Sequence, residues 1–308
     1  MGRAWAELPP AAGAAVMATG IISIGLDLTG RHALSLAALA LAALLWLSLA
    51  ADFSWRLLRD HERFRAEADT PPALAAVVAT TVLGARLSMF GWQTTAAALL
   101  ALAAVVWPGL LLNVLRHGKR RMPGGVFLVC VATEGLAVLA AVLAAADHER
   151  WLAWAALVCF LLGLPLYLHA LFHFDPTQVR AGAGDQWIAG GALAISALAG
   201  SRLTGSPVWT GAAHTTLRTA TLVLLALALA GYALLLAAEA RWPRPHYDIR
   251  RWATVFPLGM TAAAALFTAT ATDIPWLHTL GQVLLWVAVT VWSLTVAGAA
   301  TTAEAATE

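Results

Sequence analysis

Apolar residues run along this chain in long blocks separated by short polar breaks. A helix needs about 20 mostly apolar residues to cross the hydrocarbon of a bilayer. Ten blocks meet that length, at roughly 10–29, 32–53, 72–91, 93–115, 123–146, 150–172, 185–203, 211–238, 250–270 and 275–298. Each predicts an α-helix, because lipid offers backbone polar groups no other partner. The blocks pair into five hairpins of one transmembrane domain, about 10–53, 72–115, 123–172, 185–238 and 250–298. The first block is not read as a cleaved signal, since it holds Gly20 and Asp27 and runs straight into the second. Between Asp52 and Thr70, charges alternate with Trp55, Leu57, Leu58 and Phe64, which predicts an amphipathic helix on the membrane surface. Residues after Gly298 are small and polar and read as a frayed tail.

Composition narrows the class. Of the 308 residues, 60% are hydrophobic and 12% charged, and the mean hydropathy is +0.75; a soluble domain carries about 25% charged residues. A soluble enzyme, a disordered chain and a nucleic-acid-binding protein are excluded, and a net charge of +2 supplies no basic patch. Cys130 and Cys159 lie in apolar runs and read as small core residues.

Charge placement sets an orientation. Fourteen Lys and Arg lie at the N-terminus or in the loops after blocks 2, 4, 6 and 8; four (Arg31, Arg86, Arg150, Arg202) lie on the other side, and Arg218 is inside block 8. Both termini are therefore expected in the cytoplasm, in a multi-pass protein of the cell (inner) membrane. Trp5, Trp55, Trp92, Trp151, Trp187, Trp209, Trp242, Trp252 and Trp276 fall near block ends, where an amphipathic ring favours the interface.

The odd blocks resemble one another. Met17-Ala18-Thr19-Gly20, Val78-Ala79-Thr80-Thr81, Val131-Ala132-Thr133-Glu134, Ile188-Ala189-Gly190-Gly191 and Leu258-Gly259-Met260-Thr261 start 61, 53, 57 and 70 residues apart. Parallel repeats of this kind are related by an axis along the membrane normal. The odd blocks are rich in small residues, which permit close packing, while the even blocks carry Leu41, Leu44, Leu45 and Leu47 or Leu222, Leu224, Leu225 and Leu227. The predicted fold is all-α and integral to the membrane: ten helices in a quasi-five-fold ring, odd helices inside around a central pore, even helices against lipid. The alternative is a solid bundle with no path. Pro257 interrupts the ninth block and predicts a kink; kinked membrane helices line cavities, where freed backbone groups find partners. Phe256, just before it, is either a core phenylalanine or a plug.

Leu8-Pro9-Pro10 and Val16-Met17-Ala18-Thr19-Gly20-Ile21-Ile22-Ser23-Ile24 resemble the opening of the tellurite-resistance/dicarboxylate transporter family. Trp252-Ala253-Thr254-Val255-Phe256-Pro257-Leu258-Gly259-Met260 is similar to its ninth span, and Val131 to Leu139 to its fifth. Asp185-Gln186-Trp187-Ile188 with Ala192 to Ser196 resembles its seventh. That family includes bacterial channels, plant guard-cell slow anion channels and fungal malate transporters. The resemblance implies ten spans around a pore, a homotrimer, and a gate at Phe256 with Pro257 and Gly259. It implies small anions as partners, chloride and nitrate, with C4-dicarboxylates as a further class, and no cofactor. Nothing in these residues points to tellurium chemistry. If Phe256 faces the axis, so do Gly259, Met260 and Ala263, and the repeat then places Thr19, Thr80, Thr133 and Gly190 beside Met260. Such a hydroxylated ring would replace part of an anion's hydration without a fixed charge.

Several charged and titratable residues stand apart. Glu134, where the family pattern has a neutral amide, lies mid-block and five residues past the position equivalent to Phe256, about 140° round the helix. It is either the proton carrier of a proton-coupled dicarboxylate carrier or a structural residue, with Arg218 as candidate partner. Asp27 and Arg86 are placed to pair at the outer mouth. His169 and His173, four apart, are the candidate ligands of the alternative class, a membrane metal or haem enzyme; His214 has no assigned partner. The expectation is a transport protein and not an enzyme.

Overall fold

The computed structural model describes residues 12–59, 70–244 and 247–305. Leu8-Pro9-Pro10, Arg3, Trp5, Arg63, Phe64 and Arg65 lie outside the described residues. The described residues are helical, with one isolated bridge, Met122 to Phe174, between two loops. The long helices are α1 Gly13–Leu28, α2 His32–Arg59, α3 Ala75–Met89, α4 Gln93–Arg116, α5 Leu128–Asp147, α6 Arg150–His173, α7 Ile188–Thr204, α8 Gly211–Arg241, α9 Trp252–Thr272 and α10 Pro275–Ala305. A single helical turn, Gln178–Ala181, lies between α6 and α7. Eight of the long helices, counted with their leading turns, are long and apolar enough to cross a membrane; α1 is apolar but shorter.

Two elements depart from the hydropathy limits. Asp52 to Leu58, expected on the membrane surface, continues α2, and Arg56 is held to Asp52 at 2.6 Å one turn back. Of the expected frayed tail, residues 299–305 are instead the last turns of α10, with the Thr301 and Thr302 hydroxyls donating to the Gly298 carbonyl and Tyr247 against Gly298.

Odd and even helices divide sharply. The apolar windows of α3, α5 and α9 are 78%, 94% and 89% buried, whereas those of the even helices are 22–28% buried. The even helices expose Leu44, Val105, Leu161, Phe172, Leu234 and Leu294, the surface that acyl chains would cover. Each odd helix packs on the even helix that follows it. Contacts between odd helices run α1 to α3, α3 to α5, α5 to α7, α7 to α9 and α9 back to α1. Lipid is as apolar as leucine, so this association rests on close packing and polar links between helices.

The odd helices begin alike. Pro71–Leu74, Gly124–Phe127, Asp185–Trp187 and Ile249–Arg251 are 3-10 turns leading into α3, α5, α7 and α9. The first three touch in series, and the third packs on α9; the Thr254 hydroxyl of α9 donates to the Gly184 carbonyl at 3.1 Å. At the other end the turns are tight. Gly30, Gly91, His148 and Asp273 take left-handed φ values of 75°, 95°, 58° and 55° between the helices they join.

Tryptophan placement was legible only in part. Trp55, Trp92, Trp151 and Trp276 are exposed near helix ends, but Trp187, Trp209 and Trp252 are buried. Trp187 meets Tyr232 edge-on and Trp209 meets Trp154.

Candidate functional site

A cavity of about 20 Å3 lies between the five odd helices. Its wall is Ile21 and Ile24 of α1, Thr81, Val82, Ala85 and Met89 of α3, Gly135, Val138 and Val142 of α5, Ile195, Leu198 and Arg202 of α7, and Met260 and Phe267 of α9. Room for a water needs ~10–15 Å3, so this is a slot for a water or two and not an open conduit. It extends toward the C-terminal ends of the odd helices. The residues one turn earlier on each helix are Met17, Val77, Val131, Gly191 and Phe256, all buried.

Phe256 has no exposed surface. It lies four residues before Met260 and eleven before Phe267, both on the cavity wall, so the three share a helix face. Its neighbours on α9 fit flanking helices. A Cβ on Gly191 of α7 would stand 2.8 Å from Pro257 Cγ, and one on Gly259 would stand 2.7 Å from Ile21 Cγ2 of α1. Glycine at these two positions lets three backbones converge where Pro257 has removed one helical hydrogen bond. Phe256 therefore occupies the face of α9 between its contacts with α7 and α1, directly below the cavity.

The hydroxyl ring expected beside Met260 faces elsewhere. Trp292 of α10 donates to Thr19 at 3.1 Å, Trp46 of α2 to Thr80 at 2.9 Å, and Trp107 of α4 to Thr133 at 3.0 Å. The Thr80 and Thr133 hydroxyls in turn donate to the carbonyls of Ala76 and Val129, leaving no hydrogen for an anion. Gly190 faces α8, where a Cβ would meet Leu235, and Ala263 is buried off the wall. Of that predicted set, Met260 alone lines the cavity. Thr19, Thr80 and Thr133 are equivalent to one another, as the repeat implied, but the wall residues Ile21, Thr81 and Gly135 lie one or two positions further on. At about 100° per residue, that offset carries a side chain from the inner ring to the seam with the even helices.

The predicted Glu134–Arg218 pair does not form. Arg218 Nη2 donates to the Thr272 carbonyl at 3.2 Å, capping the end of α9. Glu134 is fully buried between α5, α6 and α7: Oε1 accepts from the Ser196 hydroxyl at 2.9 Å, and Oε2 has no partner. A Cβ at Gly163 of α6 would collide with this carboxyl group, so Gly163 supplies the recess that holds it. Cys130 is 4.0 Å from the same serine hydroxyl. The acid thus points away from the cavity that its neighbour Gly135 lines.

Asp27 and Arg86 do meet, at 2.9 Å. Arg86 is 2% exposed and also donates to Ser23 at 3.2 Å and Ser35 at 3.0 Å, tying α1, α2 and α3 together. The His169 and His173 rings stack at 4.3 Å, with His173 Nδ1 2.9 Å from the His169 carbonyl. Among the described residues no group of three or more His, Cys, Asp or Glu side chains is placed to hold a metal, so these two imidazoles lack a third donor. The His214 side chain has no hydrogen bond among the described residues. Several loop arginines are matched by acids: Arg244 and Arg251 on Glu239 at 2.5 and 2.8 Å, and Arg250 on Asp248 at 2.9 Å. The Arg250 guanidinium and its own backbone amide, both donating to Asp248, hold that carboxyl below the usual range. The sequence reading missed Arg202 and Phe267 on the wall. Arg202 was visible as a lone basic residue near the end of an odd block, but its place on the wall depends on helix rotation.

A search of curated proteins returns no match. The sequence profile described as SLAC1, voltage-dependent anion channel, matches residues 7–300, a stretch that includes all five odd helices, the cavity between them and Phe256 below it. With that coverage, the chain belongs to the SLAC1 family of voltage-dependent anion channels.

Proposed function

We propose that this protein passes small anions, chloride and nitrate, with C4-dicarboxylates as a further class, along the axis enclosed by its odd helices, and that Phe256 closes the path. In this reading the ten helices are five membrane hairpins in a quasi-five-fold ring. Both termini are cytoplasmic, the host is the cell (inner) membrane, and the chains assemble as a homotrimer with one path each. The observation that carries the reading is the cavity itself. All five odd helices contribute to its wall, and it ends one turn above Phe256. An apolar constriction gates by excluding water, so closure needs no charged latch. Opening requires the ring to swing aside or α9 to shift at Pro257 and Gly259. The odd helices all direct their N-termini to one end, where the helix dipoles favour anions.

The test is flux in liposomes. Wild type is expected to be nearly closed to chloride, nitrate and malate, and Phe256→Ala to conduct chloride and nitrate at least tenfold faster. Equal, negligible flux from two folded proteins would remove the gate and the path together.

A proton-coupled carrier is the second reading, and the unpartnered Glu134 Oε2 favours it. Its weakness is position, since the acid faces α6 and α7 and not the cavity.

A further inference from the structure

Arg202 lies in the last turn of α7, on the cavity wall with Phe267 and Met89. Its guanidinium carbon stands 4.6 Å over the Phe267 ring. Among the described residues no carboxylate pairs with it and no oxygen accepts a hydrogen bond from it, whereas Arg86 has Asp27, Ser23 and Ser35, and Arg218 has the Thr272 carbonyl. The other polar wall side chain, Thr81, gives its hydroxyl hydrogen to the Val78 carbonyl. Arg202 is thus the unused hydrogen-bond donor of an otherwise apolar wall.

A guanidinium keeps its charge at every accessible pH. Arg202 is half-buried, and the part of its charge turned to the apolar wall carries a desolvation cost that a counter-charge would offset. The aromatic face and the C-terminal end of α7 offset part of that cost, but neither accepts its hydrogen bonds. An anion does both. We infer that Arg202, backed by Phe267, is an anion-binding site at the C-terminal end of the cavity, taking one small inorganic anion. The planar fork matches planar oxyanions such as nitrate in a bidentate way. The Phe267 ring, 4.6 Å from the guanidinium carbon, backs the fork on one side. This rests on the axial reading only for its consequence in transport, where Arg202 attracts the anion at one end of the path and Phe256 controls passage below. The site itself stands on geometry alone.

Two measurements separate these claims. The first is melting of the purified protein in nitrate or chloride against gluconate at equal ionic strength. Wild type should be stabilised saturably, more by nitrate than chloride, and Arg202→Gln should lose the effect. No anion-specific stabilisation of wild type, or the same stabilisation in Arg202→Gln, overturns the site. The second is flux and reversal potential in the Phe256→Ala background. Adding Arg202→Gln should cut nitrate flux at low concentration about tenfold and move the reversal potential under a potassium chloride gradient toward zero. If Phe256→Ala does not conduct while nitrate still stabilises through Arg202, the path is wrong and the site stands. Should Arg202→Gln fail to fold, Arg202→Lys decides. It keeps the charge and loses the fork, so chloride stabilisation should persist while the nitrate preference disappears; an unchanged preference overturns the assignment.

Discussion

Individual side chains in this protein are governed by what lies beside them in the second layer. Thr80 and Thr133 look like free hydroxyls in the sequence, yet each accepts from an indole and donates to its own helix. Such interhelical bonds contribute about 0.6 kcal/mol each within a membrane, and they also fix helix rotation. Glu134 illustrates the same point with a charge-bearing group. One oxygen is bound by Ser196, and Gly163 of α6 makes room for the rest. For a residue so placed, Glu134→Gln in the Phe256→Ala background should conduct anions with the same dependence on pH as its parent. Flux assays across a proton gradient check this. Loss of pH dependence in the Gln variant would move the proton-coupled carrier ahead of the channel.

At the scale of elements, the hairpin is a packing unit and the polar links join it to its neighbours. The indole bonds run from α2 to α3, from α4 to α5 and from α10 to α1, each from an even helix to the odd helix of the next hairpin. Arg86 does the same job at the ends of α1, α2 and α3. Its charge is buried and Asp27 is its acidic partner. Removing one member of a buried pair costs ~3–5 kcal/mol. Asp27 is partly exposed and two serines remain, so Asp27→Asn should cost about 3 kcal/mol, the low end of that range. Adding Arg86→Gln should recover part of the loss, because the stranded charge is then gone. Unfolding of the purified single and double variants measures both. Additive losses would show that the two residues act independently.

For the whole molecule, the division into a buried odd layer and an exposed even layer decides what can form a path. Among the described residues only the odd helices line the cavity, and they all begin at one end. The basic residues cluster in the loops at that end, which is the cytoplasmic end in the proposed orientation. Reporters fused to the N- and C-termini should both read as cytoplasmic, and a reporter inserted at Gly91 as external; the reverse pattern would invert the direction of the proposed path. Loop arginines contribute less to attracting anions than their number suggests, since Arg244, Arg250 and Arg251 are each matched by an acid.

Helix positions, the contrast between odd and even helices, the proline in α9 and the family itself were legible in the amino-acid order, because each depends on hydropathy over a window or on a local motif. The Asp27–Arg86 pair was legible too, since both charges lie near the same end of inner helices. Rotation was not. A difference of one or two residues turns a side chain by about 100° or 200°, and in helices whose small and apolar residues are spread around most of the circumference, hydropathy does not choose between those faces. That choice belongs to contacts between layers: indoles that hold Thr19, Thr80 and Thr133 at the seam, a glycine that lodges Glu134 against α6, and a packed inner ring that leaves Arg202 on the cavity wall with an aromatic face and, among the described residues, no counter-ion.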